Sequence, residues 1–368
     1  MNTDFTEVKK NFGFGCMRLP MNGEKVDYDE FNKMIDAFIG AGFNYFDTAH
    51  GYIGGKSETA IRDCLAKRYE RNKFVLANKL SSPYFEKEED IVPLFYKQLE
   101  CCGVEYFDFY LFHALCKSEY EKYCRCNAFA VVQRLKEQGK IKHIAMSFHD
   151  TADVLDMILS ENPGIEAVQL MINYLDYDDP EVQSKACYDV AVKHGRKVIV
   201  MEPVRGGALV NLPKEGAEIL DRFKAGSYAS YALRYAASYP EVFMVLSGMG
   251  NMDMMNDNVK TMKNFIPLNN EEILATDKIR AVIRKVKQIK CTGCGYCLES
   301  CPKHIKIPQI FSAYNEFLAA KANRAEAKKI LPEGASAKDC IKCGSCEKIC
   351  PQHIEIRTHL ERAAGVFK

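Results

Sequence analysis

Sixteen cysteines are spread unevenly along the 368-residue chain, and eight of them fall in two segments, CTGCGYCLESCP (291–302) and CIKCGSCEKICP (340–351). Both read C-x2-C-x2-C-x3-C-P. Three thiolates at that spacing can wrap three corners of an iron–sulfur cubane, while the Cys-Pro bond turns the fourth toward another centre. Zinc knuckles are the rival, but they use paired C-x2-C with longer gaps and need no third and fourth cysteine. The other eight, Cys16, Cys64, Cys101, Cys102, Cys116, Cys124, Cys126 and Cys187, are scattered. The opening MNTDFTEVKK has no apolar core and no small-residue cleavage site, so reduced thiols are expected and a disulfide framework is the weaker reading. Cys124 and Cys126 form one C-x-C pair without a matching His or Cys and read as free loop thiols. Cys16 reads as a small packed apolar residue.

A second set of reactive side chains lies in the first third of the chain: Asp47 and Tyr52 in NYFDTAHGY (44–52), Lys79 in LANKL (76–80) and His113 in YLFHAL (110–115). Each alone has an ordinary explanation. Asp47 could cap a helix, Lys79 could be a solvated loop charge, and His113 could be a satisfied core histidine. All four, however, stand at or just after the ends of successive apolar runs, which is a far less common coincidence.

Those runs define the scaffold. Short segments rich in β-branched and aromatic residues occur at 11–15, 43–47, 73–79, 106–112, 141–147, 166–172, 197–203 and 242–247. Helical patterns separate them, as in 127–140, where Val131, Val132 and Leu135 share a side and Gly139 ends the helix, and in 180–195 before Gly195. Eight strand–helix alternations predict an α/β fold, a closed (β/α)8 TIM barrel, with its active site at the C-terminal strand ends. The rival open doubly wound sheet lacks its glycine-rich phosphate turn, since the chain reads GFGCMRL after the first strand. A helix over 269–285 closes the barrel domain, 1–285, and 286–368 forms a small, mainly α-helical second domain. Between the cysteine segments, 308–329 has helical composition, with Ile310, Tyr314 and Phe317 at helical spacing.

Composition removes several function classes. Lys and Arg number 50 against 49 Asp and Glu, so the net charge of +1 gives no electrostatic reason for a nucleic-acid or acidic-membrane partner. No uncharged apolar stretch approaches the ~18 residues of a membrane span. A cytoplasmic chain is expected. Residues 286–368 carry 14 Lys and Arg against 8 Asp and Glu. Two oxidised cubanes, each roughly −2 with its thiolates, would nearly offset that surplus.

The C-terminal segment resembles the two-cluster bacterial ferredoxin domain, with a helical insertion like that of the α-helical ferredoxin modules attached to reductases. The resemblance implies two [4Fe–4S] clusters, one held by Cys291, Cys294, Cys297 and Cys350, the other by Cys340, Cys343, Cys346 and Cys301. Residues 11–262 resemble the aldo-keto reductase superfamily, whose catalytic tetrad has the order Asp47, Tyr52, Lys79, His113. Further agreement comes from LKEQGKIKHIAMS (135–147), VQLMINY (168–174), EPVRGGAL (202–209), SYALRYAASYP (230–240) and LSGMGNMDMMNDNV (246–259).

The resemblance assigns cofactor contacts to Asp47, Ser147, Gln169, Gly248 and Asn258, and Arg205 is a candidate phosphate charge. It departs from the family where Met249, Gly250, Asn251 and Met254 replace the usual basic residues of the last phosphate loop. Met201 stands where a ring often stacks on nicotinamide, and Phe148 takes an asparagine position.

A free tyrosine has a pKa near 10. An ammonium from Lys79, oriented by Asp47, favours the phenolate, so Tyr52 can protonate a carbonyl oxygen as hydride reaches carbon, or take the proton in reverse. His113 would orient the carbonyl. The implied activity is reduction of a small-molecule carbonyl, or oxidation of an alcohol, with NADP or NAD, coupled to electron transfer through the clusters and to a redox-protein donor. A hydride carries two electrons and a cubane passes one, so a flavin in the same cleft is the alternative cofactor. An electron carrier or redox sensor without turnover is the alternative function. If the halves exchange electrons, the second domain should cover part of the barrel's catalytic mouth.

Overall fold

The computed structural model describes residues 5–223, 226–286, 288–319 and 322–368. Eight parallel strands close into a barrel: β1 (Phe12–Gly15), β2 (Tyr45–Asp47), β3 (Val75–Leu80), β4 (Phe107–Leu115), β5 (Ile141–Phe148), β6 (Ala167–Met171), β7 (Lys197–Met201) and β8 (Val242–Ser247). Each pairs with its sequence neighbour, and β8 returns to pair with β1. All eight fall within or against the apolar runs predicted from sequence. A short hairpin after β1, Met21–Asn22 with Lys25–Val26, is an addition that the sequence reading did not include.

Two cores follow from the period-2 alternation of strand side chains. One parity, including Tyr45, Val75, Ala77, Phe109, Leu111, Ala145, Ala167, Ile199 and Met244, fills the barrel interior. The other, including Phe46, Leu76, Tyr110, Phe112, Ile144, Val168 and Val200, packs against the surrounding helices. Phe5, from the N-terminal segment, joins the interior set and packs edge-on against Phe109 and tilted against Phe243.

The chain divides into two compact units that do not follow the sequence order. One comprises Met1–Val204 and Lys224–Ile273, and the other Arg205–Phe223 and Leu274–Lys368. A helix does span Asn270–Lys285. The helical composition read over 308–329 takes the form of two helices, Ile307–Leu318 and Arg324–Lys329. Asn323 caps the second by accepting from the Ala325 and Glu326 N–H groups, which starts a new helix in place of continuing the first. Positions 320 and 321 of that stretch lie outside the described residues.

In the second unit the duplicated cysteine motif gives a duplicated structure. Gly295 and Gly344 each adopt a left-handed conformation and start a four-residue helix, Tyr296–Glu299 and Ser345–Lys348. Each repeat continues through Cys-Pro-x-His-Ile-x-Ile into a longer helix, Ile307–Leu318 or Ile356–Val366. Ile305, Ile307, Ile310, Phe311, Ile356 and Leu360 form the core of this unit.

Candidate functional site

The interior parity of the barrel places the candidate residues. On β2, Tyr45 faces inward, so Asp47 does too. On β3, Val75 and Ala77 are followed by Lys79, and on β4, Phe109 and Leu111 by His113. Ala145 precedes Ser147, Ala167 precedes Gln169, and Ile199 precedes Met201. The interior changes from apolar to polar at the C-terminal strand ends, where barrel enzymes carry their active sites.

Lys79 Nζ donates to Asp47 Oδ1 at 2.6 Å and to the Thr48 carbonyl at 2.8 Å. The same ammonium lies 4.9 Å from the centroid of the Tyr52 ring, and the Tyr52 and His113 rings meet edge-on at 5.9 Å. All four side chains are buried, so neither the helix-cap reading of Asp47 nor the solvated reading of Lys79 holds. Burial pushes the Lys79 ammonium below its usual range and the Asp47 carboxyl above its own, each opposed by the other's charge.

Local backbone features fix this arrangement. Tyr52 sits in a chain of turns: its N–H donates to Ala49, and its carbonyl accepts from Gly55 and Ser57. Ile53, Gly54 and Gly55 all have positive φ, so the chain folds back tightly behind the phenol. On β4 the pairing with β5 shifts between Phe112 and Leu115, and Ala114 has φ 54°, with its N–H donated to Ser147 Oγ at 2.7 Å. That irregularity orients His113, whose Nδ1 lies 2.6 Å from Ser81 Oγ.

Sequence reasoning did not single out Ser81, nor the buried polar layer behind β3. Asn78 Nδ2 donates to Glu58 Oε1, Gln98 Nε2 donates to the Lys79 carbonyl, and the Tyr110 hydroxyl donates to Gln98 Oε1. The signal was present in the polar residues flanking Lys79 in NKLSS, which no motif marks.

Gln169 and Asp47 each keep one buried carboxyl or amide oxygen, Oε1 and Oδ2, without a hydrogen-bond partner in the protein. Both are acceptors on the inward-facing parity, and a carboxamide N–H2 or a ribose hydroxyl would satisfy them. The residues therefore fit a nicotinamide nucleotide. Asn258 Nδ2 donates to Ser247 Oγ at 3.1 Å, and Gly248 lies beside Gly15. Phe148 packs in the barrel–helix core, and Met249 is buried. Arg205, the candidate phosphate charge, is buried and is grouped with the second unit. Cys16 is buried, and burial drives its thiol far above the usual range. Cys124 and Cys126 are both free thiols; Cys124 is exposed, whereas Cys126 is buried and donates to the Glu86 carbonyl.

The second unit contains two cavities. One, of about 330 Å³ with its open mouth, is lined by Cys291, Cys294, Cys297 and Cys350. The other, of about 320 Å³, is lined by Cys301, Cys340, Cys343 and Cys346. The fourth cysteine of each motif thus borders the cavity of the other motif, in the two groupings that the ferredoxin resemblance implies. Burial, reinforced by neighbouring cysteines, pushes the Cys297 thiol up, and Cys346 is pushed up to about 11. Such thiols ionise on binding a cationic centre. Among the described residues no three His, Cys, Asp or Glu side chains converge on a single-ion position. The sulfurs border cavities, a donor set that fits a cubane better than one zinc ion.

Comparison with known proteins agrees with this division. Residues 11–281 match the Aldo/keto reductase family, and residues 290–355 match the 4Fe-4S dicluster domain. The uncharacterized oxidoreductase YqkF of Bacillus subtilis is 22% identical over 306 residues, covering 74% of this chain and 92% of YqkF. The aldo-keto reductase str7 of Strobilurus tenacellus is 26% identical over 252 residues, 64% of this chain and 69% of str7. Among solved structures, aldo-keto reductase AKR11C1 from Bacillus halodurans superposes with a TM-score of 0.59 at 22% identity, covering 73% of this chain and 91% of its own. An aldo-keto reductase from Klebsiella pneumoniae in complex with NADPH gives 0.60 at 16% identity, covering 74% and 95%.

Proposed function

The chain belongs to the aldo/keto reductase family, and we propose that its barrel interconverts a carbonyl and an alcohol on a small molecule, with Tyr52 as the acid–base group and with two [4Fe–4S] clusters in the second unit. The observation that carries this reading is the meeting of Asp47, Lys79, Tyr52 and His113 at the C-terminal strand ends.

Nicotinamide, when bound, supplies or accepts the hydride. Everything else is work for the chain's own side chains. Gln169 and Ser147 orient the carboxamide, and Asp47 offers its second oxygen to a hydroxyl. The Tyr52 phenol gives its proton to the carbonyl oxygen as negative charge develops there. The Lys79 ammonium stabilises the charge that the phenolic oxygen takes on as that proton leaves. Buried His113 donates a hydrogen bond that holds the carbonyl, and the surrounding aromatic walls exclude water.

The eight cysteines around the two cavities would hold the clusters, which supply one-electron transfer. A hydride moves two electrons and each cubane one, so linking the second unit and a redox-protein donor or acceptor to the barrel chemistry would need a carrier that handles both, such as a flavin. The test is anaerobic purification, cofactor extraction and turnover of a carbonyl panel with NADH and NADPH. Cubane absorbance with nicotinamide-dependent turnover, lost in Tyr52→Phe, supports the reading. Turnover that survives Tyr52→Phe overturns the acid–base role of Tyr52, and extracted flavin with no nicotinamide-dependent turnover overturns the nicotinamide assignment.

A further inference from the structure

The segment Arg205–Phe223 follows β7 in the chain, yet it is part of the cysteine-bearing unit. It begins with three consecutive residues of positive φ: Arg205 at 50°, Gly206 at 61° and Gly207 at 98°. The turn is closed by Ala208 N–H donating to the Arg205 carbonyl and Val210 N–H to that of Gly207. Leu209 behind it is fully buried.

Gly206 is in extremely close contact with the loop that carries the first cysteine motif. A Cβ built on it would lie 2.1 Å from the Thr292 carbonyl oxygen and under 3 Å from the Thr292 carbonyl carbon and Cα. These are backbone atoms, so no side-chain rotation could relieve the overlap. Thr292 is buried and lines the cavity bordered by Cys291, Cys294, Cys297 and Cys350. A second point of the segment, Gly216, packs against Ile279 of the same unit.

We infer that the Arg205-Gly206-Gly207 turn is a positioning element for the first iron–sulfur centre, with Gly206 setting the backbone at Thr292 and so the direction in which Cys291 presents its sulfur. The inference rests on the reading that this cavity takes a [4Fe–4S] cluster. A residue with a Cβ at 206 would displace the Thr292 carbonyl and carry the adjoining Cys291 with it.

The experiment uses the full chain reconstituted anaerobically with iron and sulfide. A Cys340→Ser/Cys343→Ser background removes two ligands of the second cavity, so the first cluster is read alone. That background should hold about four irons per chain. Adding Gly206→Ala should raise the rate of iron loss to a chelator by at least tenfold and shift the reduction potential of what remains. Gly206→Val should abolish iron retention. Should the Gly206 variants fail to fold, Gly207→Ala strains the same turn at φ 98° with its Cβ no closer than 3.8 Å to Asn211 Nδ2, and it should also speed iron loss. Iron retention and potential unchanged by Gly206→Val, or by Gly207→Ala where the valine variant does not fold, would overturn the inference. A background protein that binds no iron at all would instead refute the cluster reading on which it rests.

Discussion

Lys79 Nζ and Asp47 Oδ1 lie 2.6 Å apart with almost no solvent contact, the two side chains being 0% and 4% exposed. Two charges removed from water are costly, and removing one partner leaves the other uncompensated. Asp47→Asn should therefore destabilise the barrel by about 3–5 kcal/mol, and Lys79→Met should do the same while abolishing turnover. The double variant Asp47→Asn/Lys79→Met should be more stable than either single one, because no buried charge remains. Urea unfolding of the four proteins checks this. A double variant whose loss equals the sum of the single losses would show that the pair is not coupled.

Ser81 acts on the reaction through His113. Burial first, then the Lys79 and His149 charges, hold the His113 imidazole well below the usual histidine range, so the ring is neutral at working pH. Either Ser81 Oγ or His113 Nδ1 can be the donor in this 2.6 Å contact, and where the hydroxyl donates, the ring proton is carried on Nε2. Ser81→Ala should lower kcat by about three- to tenfold, the effect of one hydrogen bond of ~1 kcal/mol, while Ser81→Thr restores it. Rate profiles should show no inflection from His113 between pH 5 and 8. An inflection near 6.5 that Ser81→Ala removes would mean that the ring titrates in that range.

Much of this site was legible in the sequence because strands report their own parity. Once 73–79 is read as a strand with Val75 and Ala77 inward, Lys79 has to face the same interior. The eight cysteines were legible for a different reason: fixed spacing within a motif is a local property. Less visible was anything that depends on distant segments meeting. The Asn78–Glu58–Gln98 layer and the Ser81–His113 contact each join side chains 20 or more positions apart. The start of a second helix at Arg324 was not foreseen because its capping box, Asn323 with Glu326, leaves the helical composition of the stretch unchanged. The duplication was read as twelve residues, although its Cys-Pro-x-His-Ile-x-Ile tail was also visible.

Glu30 bears on the choice of nucleotide. Its carboxylate accepts the Met252 N–H at 3.1 Å, at the first residue of the helix Met252–Lys263. A helix N-terminus favours an anion, and here a protein anion already holds that donor. The loop before it, Met249 to Asn251, offers no cation. NADH should therefore be used in preference to NADPH. Glu30→Gln should move the kcat/KM ratio toward NADPH by about tenfold, the scale of one screened like-charge contact. An unchanged ratio would place the 2′-phosphate elsewhere.

His143 gives the barrel a predictable pH dependence of stability. Its Nε2 lies 2.7 Å from Glu7 Oε1 and its Nδ1 2.8 Å from Glu166 Oε2, which ties the N-terminal segment to β5. Burial alone would lower its pKa, but the hydrogen bonds and charges of Glu166 and Glu7 outweigh that and raise it to about 9. Glu166 moves the opposite way, to about 2, since its bonds to His143 and Lys136 outweigh burial. A group whose pKa is raised on folding stabilises the fold fully below its unfolded value and loses that contribution as pH rises through the folded value. A group whose pKa is lowered contributes fully above its unfolded value and loses that as pH falls. The two windows overlap between roughly pH 4.5 and 6.5. Stability from this triad should therefore be highest there and decline toward pH 9, by on the order of 2 kcal/mol. His143→Gln keeps a polar side chain but cannot take up the proton, so its unfolding free energy should lose that decline. A wild-type profile flat from pH 6 to 9.5, or a decline that persists unchanged in His143→Gln, would show that the imidazolium is not its source.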